Sequence, residues 1–202
     1  MSKIEMPQGE YKKKGKLADG EYRAIVTDVS YNDKPGKSGF PYYIVTFTAK
    51  QSHSAAVELT RILSLSPKAL GFTTTLLTSA AGSASLDINY DFTKFGDTNI
   101  VKIMNGLQEI ITTSSDLKKK DEASEDLGNI CYCIFRSVKK IVIGKRVTIV
   151  VKNENKVSEK PGQYFGQPYV SCEIVKILSS HTGGEEDFKQ AFADDEEEKQ
   201  SF

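Results

Sequence analysis

The feature that most constrains this chain is alternation. In Glu21–Tyr31 (EYRAIVTDVSY), Tyr22, Ala24 and Val26 alternate with Arg23, Ile25 and Thr27. Tyr42–Ala49 sets Tyr43, Val45 and Phe47 against Tyr42, Ile44 and Thr46, and Lys145–Asn153 sets Val147, Ile149 and Val151 against Arg146, Thr148, Val150 and Lys152. Side chains two apart share one face of a strand, so each stretch reads as a strand with one buried face. Val57–Leu65, with Arg61 among apolar neighbours, and Pro168–Leu178 read as two more.

Between the third and fourth strands the pattern changes. Ser66-Pro67-Lys68 has the form of a helix start, with Ser as cap and Pro in the first turn, and the helix is expected to run to about Ala81. Residues 82–143 read as an insert. Asn99–Thr112 carries Ile100, Ile103, Met104, Leu107, Ile110 and Ile111 on one helical stripe, Asp116–Asp126 reads as a charged linker, and Cys131–Val138 as a short helix. The order strand, strand, strand, helix, insert, strand, strand is that of an OB-fold. The expected fold is therefore mainly β (α+β): a five-stranded antiparallel OB-fold barrel with a helical insertion between strands 3 and 4. Residues 1–19 are a basic arm (Tyr11-Lys-Lys-Lys-Gly-Lys16), residues 20–180 the OB domain, and residues 181–202 a tail.

In an OB-fold the loops joining strands one to two and four to five flank the face that binds oligonucleotides. Here those loops are KPGKSGFPYY and KPGQYFGQPY, two versions of one design. A single strand bound without sequence preference needs cations for its phosphates and flat rings for its bases. The first loop and its exit supply Lys34, Lys37, Phe40 and Tyr42; the second supplies Lys156, Lys160, Tyr164, Phe165 and Tyr169. Arg23, Arg61, Arg146 and Lys152 are read as outward strand positions that line the floor between the loops. Taken singly, each of these residues also suits a structural role, because rings beside turns cap barrel ends and loop lysines are solvated. Co-location of rings and lysines on both loops is what favours single-stranded nucleic acid.

Charge points the same way. Glu185–Phe202 holds eight acidic residues against Lys189 and Lys199, a net of −6, which leaves +6 on residues 1–184 although the chain sums to zero. Such asymmetry suits a polyanion partner. The tail is expected to be disordered. Phe188 and Phe192 stand four apart, Asp194, Asp195, Glu196, Glu197 and Glu198 form an acidic run, and Phe202 joins a ring to the α-carboxylate; together they are the features expected to engage a partner protein.

No enzyme signature competes: GxxxxGK[ST], HExxH and GxSxG are all missing, and His53 and His181 are the only histidines. Asp87-Ile-Asn-Tyr-Asp91 would suit a magnesium site or a polar edge strand. Cys131, Cys133 and Cys172 lack metal-ligand spacing and read as buried thiols in a reducing compartment. No metal and no cofactor is implied. With no apolar run near the ~18 residues of a membrane span and no signal-peptide core, the expectation is a soluble cytoplasmic protein with no membrane partner. Homo-oligomer formation is compatible with the sequence.

An OB-like core followed by an acidic tail ending in Phe resembles the single-stranded DNA-binding proteins of bacteria and their phages. GEYRAIVTDVSYNDKPGKSGFPYYIVTFTA and GKRVTIVVKN…YFGQPYVSCEIVKI look like phage-encoded members, and the likeness covers residues 20–65, 144–178 and the tail. It implies a non-enzymatic role in replication, recombination and repair, with the tail recruiting other proteins, and a host-cell cytoplasmic location if viral. The chain departs from that pattern at Lys199, which dilutes the acidic run, and in the 82–143 insert. The rival expectations are an OB-type protein–protein module and a magnesium-dependent nuclease built around Asp87 and Asp91.

Overall fold

A computed structural model describes residues 17–34, 39–49, 55–83, 85–157 and 168–179. Its five strands are β1 (Gly20–Asn32), β2 (Tyr42–Ala49), β3 (Val57–Ser64), β4 (Arg146–Val157) and β5 (Pro168–Ser179), with helices α1 (Leu70–Ala81), α2 (Ile100–Thr113) and α3 (Leu117–Val142) between β3 and β4. The strands form one antiparallel sheet in the order β3-β2-β1-β4-β5. This is an open five-stranded sheet with helices, an α+β arrangement consistent with an OB-like fold. No backbone ladder joins the edge strands β3 and β5 among the described residues; a side chain spans the seam instead, where the Arg61 guanidinium donates to the Ile174 carbonyl at 2.7 Å.

The alternation predicted from sequence sets the core. Ala24, Val26, Tyr43, Val45, Phe47, Leu63, Val147, Ile149 and Val151 are all buried, and full burial of such side chains contributes about 1.5–3 kcal/mol each. One irregularity re-aims β1. Val26 pairs with Phe47 and Asp28 with Thr46, so Thr27 is the extra residue of a β-bulge. Before it the even positions Ala24 and Val26 face inward; after it the odd positions Val29 and Tyr31 do. An inserted residue reverses the parity of every residue beyond it and bends the strand. The reversed parity turns Tyr31 inward, against Phe135 of α3, ring centroids 5.1 Å apart.

Helix α1 closes one end of the sheet through Leu76 and Leu77 and through a buried hydrogen bond of 2.9 Å between the Tyr43 and Thr73 hydroxyls. Burial pushes the Tyr43 phenol up to about 12. Ser66 precedes a short 3₁₀ turn, Pro67–Ala69, and makes no side-chain capping bond, so the expected cap is absent although Pro67 opens the turn. Gly82, at φ +66°, ends α1 in the left-handed region that glycine enters without strain.

The insert is more helical than its composition suggests. Asn99 caps α2 by accepting from the amides of Val101 and Lys102. Asp116 does the same for α3 with Lys118 and Lys119, and α3 then runs 26 residues without a break. Asp116–Asp126 is therefore a cap and the first turns of a helix, not a linker, and Cys131–Val138 is the middle of that helix. Its core stripe, Ala123, Leu127, Ile130, Ile134, Val138 and Val142, keeps helical spacing through the charged half. A second boundary also moves: Glu154–Val157, expected in a loop, continues β4 in register with Pro168–Ser171 of β5.

Candidate nucleic-acid interface

The two loops spring from opposite ends of the sheet. β1 and β4 are antiparallel, with Gly20 opposite Val151, so the first loop leaves beyond Asn32 and the second beyond Val157, past the other end of β1. Between their roots lies the outer sheet face, opposite the core. Cross-strand pairing assembles it: Tyr42 beside Asn32, Ile44 beside Ile62, Ile25 beside Thr48 and Arg146, and Arg23 beside Thr148. Ile62 is 63% exposed. The face thus offers an aromatic ring, apolar side chains and cations, together with the acids Glu21 and Glu58.

Tyr42 is a half-exposed ring at the root of the first loop, fixed because Asn32 Nδ2 donates to its hydroxyl at 2.7 Å. Holding a ring in place removes entropy that stacking would otherwise cost. Asn32 Oδ1 also accepts from the Lys34 amide at 3.0 Å, an Asx turn that directs the start of the loop. The Lys34 side chain is exposed. Arg23 and Arg146 are half-buried on the outer face, and Lys152 is exposed beyond the end of β1.

At the far end, the β4–β5 hairpin overhangs β1 and presents Tyr169, 49% exposed, opposite Lys156. Lys156 is engaged: it pairs with Glu173 and, at 3.5 Å, with Glu154. The hydrogen bond to Glu173 holds the ammonium above the usual lysine range and the carboxyl below the usual carboxylate range. A phosphate would have to compete with two carboxylates for this cation.

Two expected contacts are corrected. Phe40 is 7% exposed and belongs to the core, so its ring is not presented to a ligand; the residue before Pro41 packs inward while Tyr42 turns out. Arg61 is not outward either. It shares the inner face of β3 with Leu59 and Leu63, bonds Ile174 across the seam, and lies 5.3 Å from the centre of the Phe72 ring. Its role is to join strands, and its Nε is buried without a hydrogen-bond partner. Lys37, Lys160, Tyr164 and Phe165, and the tail residues Phe188, Phe192, Asp194, Asp195, Glu196, Glu197, Glu198 and Phe202, lie outside the described residues.

The acidic segment Asp87–Asp91 is not a strand. The chain there is irregular, and Asp91 Oδ1 accepts from the amide and hydroxyl of Thr93, at 2.9 and 2.6 Å, to start a 3₁₀ turn. These bonds lower the Asp91 carboxyl. No group of three or more metal-ligating side chains occurs among the described residues. Cys131 is buried, which pushes its thiol up to about 12, whereas Cys133 and Cys172 are half-buried; all three are free. Among the described residues no helix is long and apolar enough to cross a membrane.

No protein-family model matches the chain, and no curated protein matches it. Among solved structures, a chain of "Yeast RPA bound to ssDNA" is similar to it at a TM-score of 0.29 and 10% identity, over 96% of this chain and 91% of that one.

Proposed function

We propose that this chain is a non-enzymatic, sequence-non-specific single-stranded DNA-binding protein. The observation that carries the reading is the outer sheet face between the loop roots, where a pinned ring, Tyr42, shares one surface with Arg23, Arg146 and Lys152. Rings stack on any base and cations follow any phosphate, so such a surface binds a strand without reading it. In this reading β3 and β5 complete an OB barrel through Arg61. Lys34, Lys37 and Lys160 track phosphates, while Tyr164, Phe165 and Tyr169 add rings from the second loop. The protein works in the cytoplasm, protecting strands during replication, recombination and repair, and its acidic tail recruits the proteins that act there.

A gel with labelled single-stranded and duplex DNA, with and without Mg²⁺, tests this. The single strand is retarded, the duplex much less, and neither is cut; cleavage on adding Mg²⁺ would establish the nuclease instead. Deleting Glu185–Phe202 leaves DNA binding intact or tighter and abolishes recruitment of partner proteins. The exposed Ile62 beside Ile44 favours one second reading, a peptide-binding OB module, and that reading predicts no retardation at micromolar protein.

A further inference from the structure

The second half of α3 presents a basic, ring-bearing surface that the sheet does not use. From Asn129 to Val142 the helix carries Arg136, Lys139 and Lys140 and no acid, whereas Leu117–Gly128 mixes both signs. Tyr132 is 47% exposed and meets Tyr31 edge-on at 5.6 Å, which places it beside the root of the first loop. Lys139 leans toward Asp28 of β1, 3.8 Å away. Arg136 and Lys140, one turn apart, face the other side and line a cleft of about 720 Å³.

The opposite wall of that cleft is the segment Asp87–Tyr90, which α3 holds in place. Ser137 Oγ donates to the Asp87 carbonyl at 2.6 Å, and Cys133 Sγ approaches the Asn89 carbonyl at 3.5 Å. Asp87 contributes the one acid of the lining. Arg136 and Lys140 are exposed, and neither has a hydrogen-bond or ion-pair partner among the described residues. Two cations facing a single acid, on the same helix as an exposed ring, match a ligand with phosphates and unstacked bases. Four helical residues rise about 6 Å, the scale on which neighbouring phosphates of an extended strand are spaced.

We infer that this surface is a second contact for single-stranded nucleic acid. Arg136 and Lys140 hold phosphates, and Tyr132 stacks a base where the strand passes the first loop. The inference rests on the function proposed above and gives the insert a role, which is to lengthen the binding path beyond the sheet.

The test uses the full chain and fluorescence anisotropy with dT oligonucleotides of about 6 and about 30 nucleotides, chosen against the ~4–16 nucleotides covered by one OB-fold. For the long strand, R136A/K140A weakens binding roughly two- to thirty-fold, the range two exposed charge pairs allow. It also reduces the salt slope by about 1.4, at ~0.7 per phosphate contact. The short strand binds as before, and Y132A likewise affects the long strand alone. An unchanged melting temperature shows that the fold is intact, and R136E/K140E enlarges the loss. If wild type binds the long strand and R136A/K140A matches it in affinity and slope, the second contact is refuted while the sheet reading stands. Equal loss on both lengths, or displacement of the long strand by millimolar dTMP, also refutes it. A wild type that binds neither strand overturns both readings.

Discussion

Replacing Arg61 with Met separates a seam residue from a DNA contact, because the two roles predict opposite results. The guanidinium donates to the Ile174 carbonyl at 2.7 Å and lies 5.3 Å from the Phe72 ring centre. A hydrogen bond from a charged group is worth about 1.5–3 kcal/mol, and a partly exposed cation–π contact about 0.5–1 kcal/mol. Against this, Nε is buried without a partner, a cost of about 1–3 kcal/mol that R61M removes. Met also keeps an apolar stem of similar length, so packing along β3 is largely retained. The net loss is about 1 kcal/mol, or roughly 2–4 °C in melting temperature for a domain of this size. Thermal unfolding followed by circular dichroism, with oligonucleotide anisotropy at 15 °C, makes the comparison. The structure predicts a lower Tm with DNA affinity and salt slope nearly unchanged. An unchanged Tm with weakened binding and a flatter salt slope would refute the seam and restore Arg61 to the groove.

Other perturbations follow from the same geometry. Y42A and Y169A each weaken single-strand binding by about 1–3 kcal/mol in anisotropy titrations, with melting temperatures near wild type, since both rings stand outside the core. D116A removes the cap of α3 and lowers stability by about 1 kcal/mol in urea unfolding. Alkali should destabilise the fold: burial raises Tyr43, Tyr31 and Cys131 each to about 12. With folded pKa values above the unfolded ones of about 8.5–10, their stabilisation is complete below about pH 8.5 and fades as pH rises toward 12. Urea midpoints measured from pH 8 to 11.5 should fall steadily, and Y43F should show a shallower decline.

Much of the sheet was legible because alternation is a local signal. Tyr43, Val45, Phe47, Val147, Ile149 and Val151 are buried where period two puts them. Other features depend on contacts between distant residues. The Thr27 bulge is a mismatch of register with β2 and leaves no mark on the residues of β1 alone. The first half of α3 read as a linker because its lysines and acids mask the sparse stripe of Ala123 and Leu127, which packing completes. The site shows the same division. Tyr42 and Lys152 are exposed or half-exposed, as alternation in β2 and β4 requires. Phe40 went inward because it lies outside the alternating stretch, where no period fixes its direction. An arginine between Leu59 and Leu63 was itself a sign of an inward position, and its partner 113 residues away could not be read from sequence.

The most direct test of the account is the salt dependence of binding to fluorescent poly-dT. With phosphates held by Arg23, Arg146, Lys152 and the loop lysines, the logarithm of affinity should fall linearly with the logarithm of salt, by about 0.7 per phosphate neutralised. Four or more such contacts give a slope of about −3 or steeper on the same scale. A flat response, or no binding at micromolar protein in low salt, would contradict the central claim.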